Sequence, residues 1–153
     1  MNARVSTTAL NTADALAHVA HAWDTDITQR ISDYIAIPAK SPGFDADWQA
    51  HGYLDTVMRN AAEWVEAQKV DGLKLEVLRL NKPDGTPRTP VLFFEIPAHQ
   101  SQSTQSVLMY GHLDKQPEMV GWRDDLGPWK PVIADGKLYG RGSADDGYAI
   151  YAA

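Results

Sequence analysis

Apolar residues recur at three- and four-residue steps between Ala13 and Ile37, at Leu16, Val19, Ala20, Trp23, Ile27, Ile31, Tyr34 and Ile35. That spacing lines one face of a helix, and Pro38 ends it. Thr12 and Asp14 are the candidate caps at its start, and Asp24-Thr25-Asp26 is an equally good place for a break. Pro38 to Gly43 is a loop by composition. A second helix follows, opened by Asp45 or Asp47. Leu54, Val57, Met58, Ala61 and Val65 share one of its faces, and Val70-Asp71-Gly72 closes it.

The period then drops to two. Leu73 to Leu80 mostly alternates, Lys82-Pro83-Asp84-Gly85 supplies a turn, and Pro90 to Ile96 reads as a second strand, so the pair predicts a hairpin. A polar, uncharged loop covers Ser101 to Ser106. Ser106 to Tyr110 has the short apolar run of a strand buried on both faces, and it leads straight into Gly111-His112-Leu113-Asp114. Lys130 to Ile133 and Lys137 to Tyr139 flank Asp135-Gly136 as a further hairpin. Gly140 to Ala153 reads as a glycine-rich loop opening a helix. The mixture predicts an α/β fold. Its stop in the first turns of a helix is expected of the N-terminal piece of something longer, with residues 1–12 as a polar leader.

Composition narrows the chemistry. Fourteen Lys plus Arg against twenty Asp plus Glu leave a net charge of −6 over 153 residues, which gives no footprint for nucleic acid or an anionic membrane. Cysteine is absent, which excludes thiol nucleophiles and Cys-held zinc, so a metal must rest on His and carboxylates. No signal-peptide core and no run of membrane-spanning length is present, so the default location is the cytoplasm.

Two constellations can carry chemistry. On an extended backbone His112 and Asp114 project to one side, at the carboxyl end of a strand where open α/β sheets place their ligands. His112 is then a candidate metal ligand and Asp114 the carboxylate that fixes its tautomer, although a bare His-x-Asp pair is short and common. Asp145-Asp146 stands at a glycine-rich turn before a helix, where carboxylates either cap the helix or bind a divalent cation. Gly140-x-Gly142 lacks the third glycine of a dinucleotide fingerprint, since Asp145 occupies that position. His18 and His21 read as surface residues and His51 and His99 as isolated. Trp122 and Trp129 read as loop packing more readily than as a substrate wall.

Taken together, Tyr110 to Glu118, Gly121-Trp122, Gly127 to Pro131 and Asp135 to Asp146 resemble the M20 metallopeptidase family, closest to its carnosinase-like dipeptidase branch. The similarity reaches back to Ala36–Pro42. The resemblance implies a catalytic domain with a mainly parallel sheet flanked by helices, carrying two zinc ions, with Mn2+ or Co2+ as other candidate metals. His112 then matches a ligand of one metal, Asp145 the carboxylate bridging both, and Asp114 the residue orienting His112, with a cis bond after Asp145. The physical logic is that a shared carboxylate offsets the repulsion between neighbouring cations, while a metal-bound water ionises near neutral pH and attacks a polarised carbonyl.

The chain departs from that pattern. Lys115 stands where the family often has an apolar residue, which places a cation near the site. Asp145-Asp146-Gly147-Tyr148 replaces the commoner Asp-Asp-Lys-Gly. The family's Glu-Glu pair, a further acidic ligand, a distal His and the smaller dimerising domain are expected beyond Ala153. The resulting expectation is hydrolysis of dipeptides or short peptides by a homodimeric full-length enzyme, with residues 1–153 inactive alone and prone to aggregate. An amidohydrolase for N-acyl amino acids and a non-catalytic remnant are the alternatives.

Overall fold

A computed structural model of the chain describes residues 11–98 and 105–152. Their order is α1 (Thr12–Ala22), a π-helical turn (Trp23–Ile27), α2 (Thr28–Ala36), α3 (Trp48–His51), α4 (Tyr53–Ala67), β1 (Lys74–Leu78), β2 (Val91–Glu95), β3 (Val132–Ala134), β4 (Lys137–Tyr139) and α5 (Ala149–Ala152). The fold is mixed α/β. Its sheets are two antiparallel hairpins, β1 with β2 and β3 with β4. The mainly parallel sheet expected from the family resemblance is therefore not formed among the described residues, where a lone Lys40–Lys115 bridge is the parallel pairing. Ser106 to Tyr110, expected as a doubly buried strand, has no ladder partner there. Val107, Leu108 and Tyr110 are at least 86% exposed, so the apolar run lies open where burial was expected.

The first helix runs further than one regular spiral allows. Asn11, rather than Thr12 or Asp14, caps it, accepting from the N–H groups of Ala13 and Asp14. The expected break at Asp24–Asp26 is instead a widened turn within a continuous helix. Thr28 donates its hydroxyl to the carbonyl of Trp23, five residues back, at 2.7 Å, and Thr25 donates to His21 at 2.8 Å. The wide turn brings Asp26 to the indole N–H of Trp64 at 2.8 Å, a hydrogen bond that holds its carboxyl below the usual range.

The core lies between α2 and α4. Ile27, Ile31, Tyr34, Ile35, Ala39, Leu54, Val57 and Tyr151 form one buried cluster. All five residues read as the apolar face of the second helix are buried in α4. No residue of α1 is fully buried: Leu16 and Val19 are exposed, and Ala22 at its end packs against the core while partly exposed. Asp45 and Asp47 precede the short α3, whereas α4 opens at Gly52 with φ +67. The Asp135-Gly136 turn has both φ angles positive, at +52 and +71, which matches the twist of its flanking strands. Residues 1–10 of the expected leader, His99, most of the Ser101–Ser106 loop and Ala153 lie outside the described residues.

Candidate functional site

The site gathers around the backbone from Gly111 to Lys115, held from below by the end of α2. Tyr34 donates its buried hydroxyl to the carbonyl of Leu113 at 3.0 Å. Burial pushes that phenol's pKa well upward, so it remains a donor. The chain leaving α2 then runs beside the segment: the N–H of Lys115 donates to the Ala39 carbonyl at 2.9 Å, and the N–H of Ser41 donates to the Lys115 carbonyl at 3.0 Å. Ser41 also donates its hydroxyl to Asp114 Oδ2 at 2.5 Å.

His112 is fixed on both of its ring nitrogens. Nδ1 lies 3.0 Å from the Asp114 carbonyl and 3.3 Å from Asp114 Oδ1. A carbonyl only accepts, so this contact requires the hydrogen on Nδ1 and leaves the Nε2 lone pair outward. Nε2 lies 3.2 Å from Asp145 Oδ1. Two lone pairs aimed at each other repel unless a proton or a cation lies between them. Zinc bonds of about 2.0–2.2 Å at a tetrahedral angle separate neighbouring ligand atoms by about 3.3–3.6 Å, so the pair lies close to the spacing of two ligands of one cation. The donor set thus fits a divalent metal in part, since no group of three or more such ligands converges among the described residues.

The second carboxylate of the acidic pair has its own task. Asp146 Oδ2 accepts from the main-chain N–H of His112 at 3.3 Å, tying the Gly140–Gly147 loop to the segment that carries the ligand. The Asp145–Asp146 peptide bond is cis. Gly147 crosses the face of Tyr34 so closely that a Cβ there would come within 2.0 Å of the ring. This explains why glycine, rather than the family's lysine, follows the acidic pair in a chain with tyrosine at position 34.

The structure brings His112, Asp114 and Asp145 together, although 33 residues separate the first and last in sequence. It does not bring Lys115 into the site as a free cation. That side chain is fully buried, and Nζ donates to the carbonyls of Tyr34, Ile35 and Ile37 at 2.6, 3.3 and 2.6 Å. The other described histidines stay apart: His18 and His21 are exposed on α1, and His51 pairs with Asp45 at 2.8 Å. Trp122 donates to the Glu118 carbonyl at 2.8 Å, which is loop packing. Sequence reasoning missed Ser41, Asp146 and Tyr34 as supports. The sequence signal for Ser41 was its place in the Ala36–Pro42 stretch that shares the family resemblance.

An imidazole and a carboxylate turned on one point, with the imidazole's far nitrogen secured, are two donors of the kind a divalent cation takes. Residues 108–153 match the model of Peptidase family M20/M25/M40. A human Beta-Ala-His dipeptidase is 43% identical over 129 residues, covering 79% of this chain and 24% of that protein. An uncharacterized metallohydrolase of Methanocaldococcus jannaschii is 30% identical over 115 residues, covering 75% and 27%. A succinyl-diaminopimelate desuccinylase of Methylobacterium radiotolerans is 34% identical over 114 residues, covering 74% and 24%. These matches make the chain an M20 peptidase-like fragment, and the named relatives here are peptide and amide hydrolases. It spans about a quarter of the length of these three relatives.

Proposed function

We propose that residues 13–153 supply the N-terminal part of the catalytic domain of a zinc-dependent hydrolase that cleaves dipeptides or short peptides. The observation that carries this reading is the 3.2 Å approach of His112 Nε2 to Asp145 Oδ1, with Nδ1 secured behind it. His112 and Asp145 would hold metal, Asp145 as the residue shared between two ions. Asp114 keeps the imidazole in the tautomer that presents Nε2. Zinc, when bound, supplies carbonyl polarisation and an acidified water for amide hydrolysis. The remaining ligands and the general base belong to sequence beyond residue 153. So do the strands that would turn Ser106–Tyr110 into a member of a parallel sheet, and the domain through which the complete enzyme forms a homodimer. We read that enzyme as cytoplasmic.

The test is a zinc-loaded assay of the complete protein on a panel of dipeptides and of N-acetyl and N-succinyl amino acids. Dipeptide turnover is expected, abolished by His112→Ala and by Asp145→Ala. Turnover of neither class would overturn the reading. Turnover of the N-acyl class alone would favour the amidohydrolase alternative, to which the desuccinylase similarity points. The chain ending at residue 153 is expected to be inactive by itself, and zinc-dependent release of amino acids from dipeptides by it would refute that.

A further inference from the structure

We propose that Lys115 is a positioning residue: its buried side-chain nitrogen, seated on the carbonyls that end α2, sets the place of Asp114 and through it the tautomer and aim of the His112 ring. The inference rests on the metal-site reading given above, and it concerns a residue whose chemistry that reading leaves unused.

A fully buried lysine is costly unless its N–H donors are met. Here they are. Nζ carries two N–H donors as an amine and three as an ammonium, and three carbonyls of one helix end receive them, two at 2.6 Å and one at 3.3 Å. Tyr34 and Ile35 lie in the last turn of α2, whose carbonyls carry the negative end of its dipole, and the Tyr34 carbonyl also accepts from the Ile37 N–H that caps the helix. The Tyr34 ring adds its face at 3.8 Å from Nζ, and the Trp129 ring lies at 5.4 Å. Main-chain bonds to Ala39 and Ser41 complete the grip, so residue 115 is pinned by side chain and backbone alike to residues 34–41.

The pin sits one residue from Asp114. Asp114 offers His112 both its carbonyl and its carboxylate, and Ser41, which follows the pinned stretch, takes the other carboxylate oxygen. The order of support is therefore helix end, Lys115, Asp114, His112. Without that nitrogen, the helix end and the segment from Gly111 to Lys115 lose their side-chain connection through residue 115. The two contacts on Nδ1 then depend on a backbone free to shift.

Ring nitrogen-15 spectra of the metal-free complete protein test this, recorded above the usual imidazole range, where the ring is neutral and the buried Lys115 nitrogen keeps two N–H donors. Wild-type His112, assigned by loss of its signal in His112→Gln, is expected in the Nδ1–H form. Lys115→Met is similar in volume but has no donor. While still melting cooperatively, it is expected to move His112 toward the Nε2–H form and to raise the zinc concentration that perturbs the ring by about tenfold. Lys115→Gln, with two donors on a shorter stem, is the second variant and is expected to move the ring in the same direction. A wild-type tautomer and zinc response in either folded variant would overturn the proposal. Should neither variant fold, the wild-type chain decides. Below pH 7, where the buried nitrogen keeps its third proton, slowly exchanging Lys115 Nζ protons support the seat on the carbonyls, and rapid exchange overturns it. A His112 ring indifferent to zinc in the wild type would instead overturn the metal reading, while the tautomer comparison still decides the role of Lys115.

Discussion

Gly147 and Lys115 show how single residues carry the site. Alanine at position 147 would drive its Cβ into the Tyr34 ring, whereas alanine at Gly43 meets nothing within 4 Å. Gly147→Ala is therefore expected to cost about 1–3 kcal/mol by overpacking, and Gly43→Ala much less. Urea denaturation of the two variants checks the contrast. Lys115 ties stability to pH. Burial lowers its pKa from 10.5 to about 7. Above that value the folded chain gives up a proton that the unfolded chain keeps. Stability is thus expected to rise from pH 7 upward, by at most about 1.4 kcal/mol per pH unit. The buried Tyr34 phenol acts with the opposite sign once the unfolded tyrosine ionises, so the window closes near the ordinary tyrosine value of 10.0. Urea midpoints across that window should climb in the wild type and stay flat in Lys115→Met.

At the scale of elements, the α2–α4 contact is what keeps the site's floor in place. Ile31 is 1% exposed and Val57 likewise 1%, while Leu16 on α1 is 65% exposed. Ile31→Ala should cost about 2–5 kcal/mol, and Leu16→Ala about 0.5 kcal/mol or less. Equal losses in a urea titration would mean that α1 is packed after all. The α4 face and the Asp135-Gly136 hairpin were legible because periodicity and turn chemistry are local. The widened turn at Trp23–Ile27 was not. It depends on which carbonyl the Thr28 hydroxyl selects and on Trp64 reaching across to Asp26, 38 residues away.

Across the described residues, the four most exposed large apolar side chains flank the Gly111–Lys115 segment in sequence. Val107, Leu108, Tyr110 and Val120 are all more than 85% exposed. An open apolar run with unpaired backbone groups is a template for association. The chain ending at residue 153 is therefore expected to self-associate, and Leu108→Lys to raise the monomer fraction in sedimentation velocity. The same substitution in the complete protein should destabilise it if the run is a buried strand there. A monodisperse wild-type monomer with a sharp melt would count against both expectations. Among the described residues no helix is long and apolar enough to cross a membrane.

By itself the sequence determined the buried faces of α2 and α4, both hairpins and the identity of the residues at the site, because each of these is written in local spacing or in residue type, whereas the apolar spacing of α1 corresponds to no buried face. His112, Asp114 and Asp145 were nameable before any coordinate existed. Tertiary structure alone decided that Nε2 of one and Oδ1 of another come within 3.2 Å, and that Ser41, Tyr34 and Asp146 hold them there. It also turned Lys115 from a cation beside the substrate into the partner of a helix end. The reason is distance along the chain. Lys115 meets carbonyls 78 to 81 residues away, and no local pattern records which buried acceptors a long side chain will find.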